Sequence, residues 1–98
     1  MHEWSIWRSM PSPEKCRELI GPKGPGLYQV RHKEIDDYIL FGISIKCKEK
    51  MISLYPIPYG TGYRYDENRI KYIFKNWMTL EYRTIETETR VQAVIIRK

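Results

Sequence analysis

The sequence predicts an α+β fold, a small three-stranded antiparallel sheet flanked by helices. Two apolar runs, Leu27 to His32 and Tyr38 to Ile43, flank the charged turn Lys33-Glu34-Ile35-Asp36-Asp37 and read as a hairpin. Met78 to Ile85 alternates in the two-residue period of a third strand, with Leu80 and Tyr82 on one face. Around these strands, apolar residues recur at helical spacing. Ninety-eight residues hold one core, so 1–98 is read as a single domain, 1–23 forming an arm and helix and 24–98 the core.

From the start of the chain, Trp4, Ile6 and Trp7 can fold back onto the body as an extended arm. Ser12-Pro13-Glu14 predicts a helix start, with a hydroxyl for the free N–H groups, proline at the first helical position and an acid in the first turn. Gly21-Pro22 ends that helix, and the breaker run through Gly26 delivers the chain to the hairpin. Cys47, Met51 and Leu54 predict a helix within 45–54, followed by a Pro- and Gly-containing loop over 55–62. Ile70, Ile73, Phe74 and Trp77 form the stripe of a helix spanning 65–77, with Asp66 near its N-cap. Thr87 reads as the cap of a last short helix carrying Val91, Val94 and Ile95.

Lys and Arg number 17 against 12 Asp and Glu, a formal charge of +5, and the isoelectric point near 9.3 favours polyanionic partners. Cys16 and Cys47 lack the spacing of a metal or redox motif and read as buried free thiols, and His2 and His32 have no partner at ligand spacing. No stretch approaches about 18 consecutive apolar residues, so no membrane contact and a cytoplasmic location are expected.

Gly26-Leu27-Tyr28, then eleven residues, then Leu40-Phe41-Gly42 resembles the paired signature of the GIY-YIG nucleases. Lys50 lies eight residues past Gly42, where that family usually has arginine. Thr89-Arg90-Val91-Gln92-Ala93 is similar to the start of the family's final helix, and Arg97, four residues past Ala93, stands where its metal-binding glutamate is expected. The resemblance covers about 24–98 and implies a GIY-YIG-like sheet with a phosphodiester site built around Tyr28 and Lys50 as the catalytic candidates.

The departures weigh unequally. Lysine keeps the arginine's charge and loses its bidentate fork. Leu40 replaces the second tyrosine, and a guanidinium at position 97 cannot ligate Mg²⁺, which takes oxygen donors. Glu86 and Glu88 stand two to three helical turns too early to substitute, unless the alignment slips at this end. The leading reading is therefore a nucleic-acid-binding domain on a degenerate nuclease scaffold, engaging DNA phosphates with little or no cleavage and needing no metal or cofactor. Its candidate contacts are Lys46, Lys48, Lys50, Arg64 and Arg69, the last two set among Tyr59, Tyr63 and Tyr65 in a mixture that can stack on bases and pair with phosphates. An active endonuclease, which would require Mg²⁺, and a protein-interaction module anchored on an exposed Trp4 and Trp7 are the alternatives. For Tyr28, a half-buried strand tyrosine with no chemical role is equally open.

Overall fold

Strand-forming residues on both sides of the charged turn pair as expected. The computed structural model describes residues 3–33, 35, 38–62 and 67–89. In it β2 (Gly26–His32) and β3 (Tyr38–Ser44) form an antiparallel hairpin in which Tyr28 is the register partner of Gly42. Strand β4 (Leu80–Glu86) pairs antiparallel with the other side of β2, placing Tyr28 opposite Thr84 and Arg31 opposite Glu81.

The sheet has four strands, not three. Strand β1 (Arg8–Ser9) lies on the outer edge of β4, giving the order β1-β4-β2-β3. Two residues are too few to show an alternating pattern. The pairing extends beyond them through Ser5 N–H to the Thr84 carbonyl at 2.8 Å and Met10 N–H to the Leu80 carbonyl at 3.0 Å.

The two-residue period of the strands sends side chains to two faces. Tyr28, Val30, Leu80 and Tyr82 enter the main core, where Met10, Cys16 and Leu19 of the N-terminal segment, Cys47 and Met51, and Ile73 meet them. Each fully buried aliphatic side chain there contributes about 1.5–3 kcal/mol. On the opposite face, Leu27 and Ile85 form a smaller cluster against Trp4 and Ile43.

Three helical segments cover the main face. Pro13–Glu18 is a 3-10 helix in which Ser12 makes no side-chain capping bond, contrary to the expectation for its hydroxyl. Helix α1 (Cys47–Ile52) is shorter than the predicted span because Ser53 already closes it. Helix α2 (Glu67–Asn76) buries Ile70 and Ile73, whereas Phe74 of the expected stripe is 44% exposed. A 3-10 turn, Trp77–Thr79, follows α2, so Met78 precedes the strand and is 64% exposed rather than joining the Leu80 face. The turn from Tyr55 to Gly62 is a loop, as its Pro and Gly content implies. Tyr55 is nevertheless fully buried, and its hydroxyl donates to the Pro11 carbonyl at 2.7 Å. Asp66, expected near the N-cap of α2, and the predicted last helix beyond Thr89 lie outside the described residues.

Candidate nucleic-acid interface

The first N–H groups of helix α1, like those of any α-helix, have no partner within the helix, and its N-cap Lys46 supplies no side-chain bond. Backbone carbonyls do this instead: Cys47 N–H donates to Gly24 at 3.0 Å and Lys48 N–H to Pro22 at 2.8 Å. Lys46 N–H donates to the Ser44 hydroxyl at 3.0 Å. These bonds dock the breaker loop on α1 and bring Lys23, which is exposed, to the same lobe as Lys46, Lys48 and Lys50. Four lysines stand here against Glu49 on the helix itself, while Glu86 at the end of β4 is the register partner of Gly26 just beyond the loop. The Lys46–Glu49 pair, 3.9 Å apart and largely exposed, neutralises little of that charge.

Nothing in the apolar periodicity points to Lys23. The signal available in the sequence was indirect, a proline- and glycine-rich loop immediately before the hairpin whose carbonyls could serve as a helix cap.

Tyr28 occupies a different position from these cations. It is completely buried, and its ring packs so closely on β3 that a Cβ at Gly42 would stand 2.5 Å from the phenolic oxygen. Arg69 on α2 donates from Nη2 to the Tyr28 hydroxyl at 3.2 Å. Tyr28 and α1 share one face of the sheet, since Cys47 and Met51 belong to the same core cluster. Arg69 thus stands beside Tyr28. Arg64, and the segment carrying Arg97, lie outside the described residues.

Beside Tyr28, Ile39 and Leu40 of β3 face Asn68, Arg69 and Tyr72 of α2 across a cleft of about 380 Å³. Leu40, in the position of the resemblance's second tyrosine, forms part of its wall. Tyr72 is held from behind: its hydroxyl lies 2.6 Å from His32 Nε2, whose Nδ1 is 3.2 Å from the Thr79 hydroxyl.

On the opposite face, Trp4 and Trp7 are half-buried in a stack with arginines. The Arg31 guanidinium lies 3.9 Å above the Trp7 ring, and that of Arg83 lies 4.7 Å from Trp7 and 4.5 Å from Trp4. Arg31 also pairs with Glu81 at 3.2 Å, and Arg83 donates to Gln29 at 2.8 Å. The two tryptophans are therefore engaged within the chain, and the exposed tryptophan patch expected of an interaction module is not formed.

Among the described residues, no three His, Cys, Asp or Glu side chains come together as a metal-ligand set. Likewise among them, no helix is long and apolar enough to cross a membrane.

Compared with protein-family models, curated proteins and solved structures, the chain matches none.

Among the described residues the Cys47 thiol lies 3.9 Å from the Met51 sulfur. Burial pushes Cys47 from its ordinary 9.0 up to about 12. Burial also raises Cys16, against the opposing charge of Arg17, and its thiol donates to the Tyr59 carbonyl at 3.2 Å. Tyr55 is raised by burial too. All three are acids that folding keeps protonated, so above the unfolded-state values the unfolded chain binds fewer protons than the folded one. Stability is then lost as pH rises, at about 1.4 kcal/mol per pH unit for each fully titrating group. Urea unfolding should give similar stabilities at about pH 7 and pH 8, then a loss of roughly 2 kcal/mol or more by about pH 10.5. Equal stability at pH 8 and 10.5 would contradict this account of the buried groups.

Proposed function

We propose that this chain is a nucleic-acid-binding domain that engages DNA phosphates, with little or no cleavage of its own. The observation that carries the reading is the lysine lobe. Lys46, Lys48 and Lys50 are joined by Lys23, and one backbone-capped helix start sets their relative positions. Ammonium groups on flexible stems suit contacts to phosphate, which fix position without reading sequence. A groove-reading element is not needed for such binding, and a charge of +5 is sufficient to make it salt-dependent.

Tyr28 supports the non-cleaving form of the reading. A phenol must reach water or the phosphate to assist hydrolysis, and this one is enclosed beneath Arg69. Lys50 adds positive charge in place of an arginine's two-pronged contact.

Changing Lys23, Lys46, Lys48 and Lys50 together to glutamine tests the reading. Affinity for a short DNA duplex should fall about a hundredfold at moderate salt, and the salt dependence should flatten by three to four units in log–log slope. Urea unfolding should stay nearly unchanged, since these side chains lie outside the core. A loss of less than about threefold would show that the lobe is not the contact surface.

A further inference from the structure

We infer that the outer edge of β3 is a docking edge for a second copy of this chain, the two β3 strands pairing antiparallel. The inference is independent of the nucleic-acid reading above. Among the described residues no strand pairs with the far side of β3, which ends the order β1-β4-β2-β3. The strand is seven residues long. An edge strand turns N–H and C=O groups outward, and they form a template for another strand.

Folded proteins usually blunt such an edge with a charge, a proline or a very short strand. The opposite edge of this sheet follows that rule, since β1 is two residues long and one of them is Arg8. The β3 edge does not. From Tyr38 to Ile45 there is neither a charged residue nor a proline, in a chain that is 30% charged. Phe41 and Ile45 on this stretch are 43% and 60% exposed. The irregularity in the β2–β3 pairing falls between Val30 and Arg31, opposite the start of β3, so the stretch from Leu40 to Ser44 keeps a regular ladder.

The flanks of the strand identify the partner. The chain enters β3 from Glu34, Asp36 and Asp37, with Lys33 the opposing charge, and leaves it toward Lys46, Lys48 and Lys50, with Glu49 among them. Antiparallel pairing of β3 with itself runs the acidic entry of each copy along the basic exit of the other, and two-fold symmetry makes that contact twice. Counting outward from Phe41 set against Phe41, Asp36 comes level with Lys46. Parallel pairing would instead set acid on acid and lysine on lysine. A two-fold contact needs a surface complementary to itself, and this edge is so in charge as well as in hydrogen bonding.

Sedimentation equilibrium of the full chain from about 5 to 500 µM tests the pairing. A monomer–dimer equilibrium is expected, with amide exchange along Tyr38–Ser44 slowing as concentration rises. Phe41→Lys, which places a charge on the exposed edge, should weaken the dimer at least about tenfold while circular dichroism shows the monomer folded. Asp36→Lys with Asp37→Lys, which reverses the charge of one flank, should weaken it about tenfold, and adding Lys46→Glu with Lys48→Glu should restore it. A monomer throughout the range, a dimer unmoved by Phe41→Lys, or a charge reversal that the second pair of changes fails to rescue would overturn the inference. So would a mass that grows past the dimer, which a closed two-fold contact does not give.

Discussion

Gly42→Ala is expected to destabilise the fold by about 3 kcal/mol, a fall of roughly 15 °C in melting temperature for a domain of this size. An added Cβ would stand 2.5 Å from both Cε2 and the hydroxyl oxygen of Tyr28, and 2.6 Å from Cζ. The ring has nowhere to retreat. It is fully buried in the main core, and its hydroxyl is held by Arg69. The glycine is needed for space, so its replacement by any L-residue forces the strand and the ring apart. Shrinking the ring should relieve the clash, which makes a double-mutant cycle informative. Tyr28→Leu alone should lose stability through lost packing, and Gly42→Ala added to it should then cost less than about 1 kcal/mol. Thermal melts of the four proteins measure the coupling. A cost for Gly42→Ala that is the same in both backgrounds would contradict the close packing of Tyr28 on β3.

Incubation with supercoiled plasmid and Mg²⁺ is expected to give no nicking above background. Losing a group that contributes about 4 kcal/mol of transition-state stabilisation lowers a rate roughly a thousandfold. Here several groups differ together from the pattern the sequence resembles. Leu40 has no hydroxyl, Lys50 has no fork, Arg97 has no oxygen donor, and the Tyr28 hydroxyl is buried. The variant carrying both Arg97→Glu and Lys50→Arg should gain metal-dependent nicking more than either change alone, because groups serving one phosphate act as a unit. Gel separation of nicked from supercoiled plasmid reads the outcome. Metal-dependent nicking by the unmodified protein, abolished by Tyr28→Phe, would mean that the carboxylate comes from elsewhere and that the alignment of the final segment is wrong.

Much of the scaffold was legible because it depends on local chemistry. The charged turn between two apolar runs defined the hairpin, and the spacing of the two glycine motifs anticipated Tyr28 beside Gly42. Alternation along 78–85 put Leu80 and Tyr82 on one face, and both lie in the core, although Met78 precedes the strand. The missed features depend on distant partners. Strand β1 exists because β4 offers an edge to Ser5, Arg8 and Met10, from 70 to 79 residues away in sequence. Ser12 looked like a helix cap, but the chain there winds as a 3-10 turn without that bond.

The candidate site divides in the same way. Lys46, Lys48 and Lys50 could be found by their position just after the second glycine motif. Lys23 joins them only because the carbonyls of Pro22 and Gly24 cap α1. Arg69 drew attention as a cation among aromatics, whereas one of its observed partners is the phenol of Tyr28 on the hairpin. The tryptophans near the N-terminus looked like interface anchors by residue type, yet Arg31 and Arg83 occupy their faces. Residue type signals what a side chain can contact, and the sheet register decides what it does contact.

The affinity of the unmodified protein for a short DNA duplex, measured by fluorescence anisotropy across a salt series, tests the central claim most directly. Four lysine–phosphate contacts predict tight binding at about 50 mM salt and a log–log slope near −3.6 as salt rises. No binding at about 50 mM salt, or binding indifferent to salt, would contradict the phosphate-engaging account.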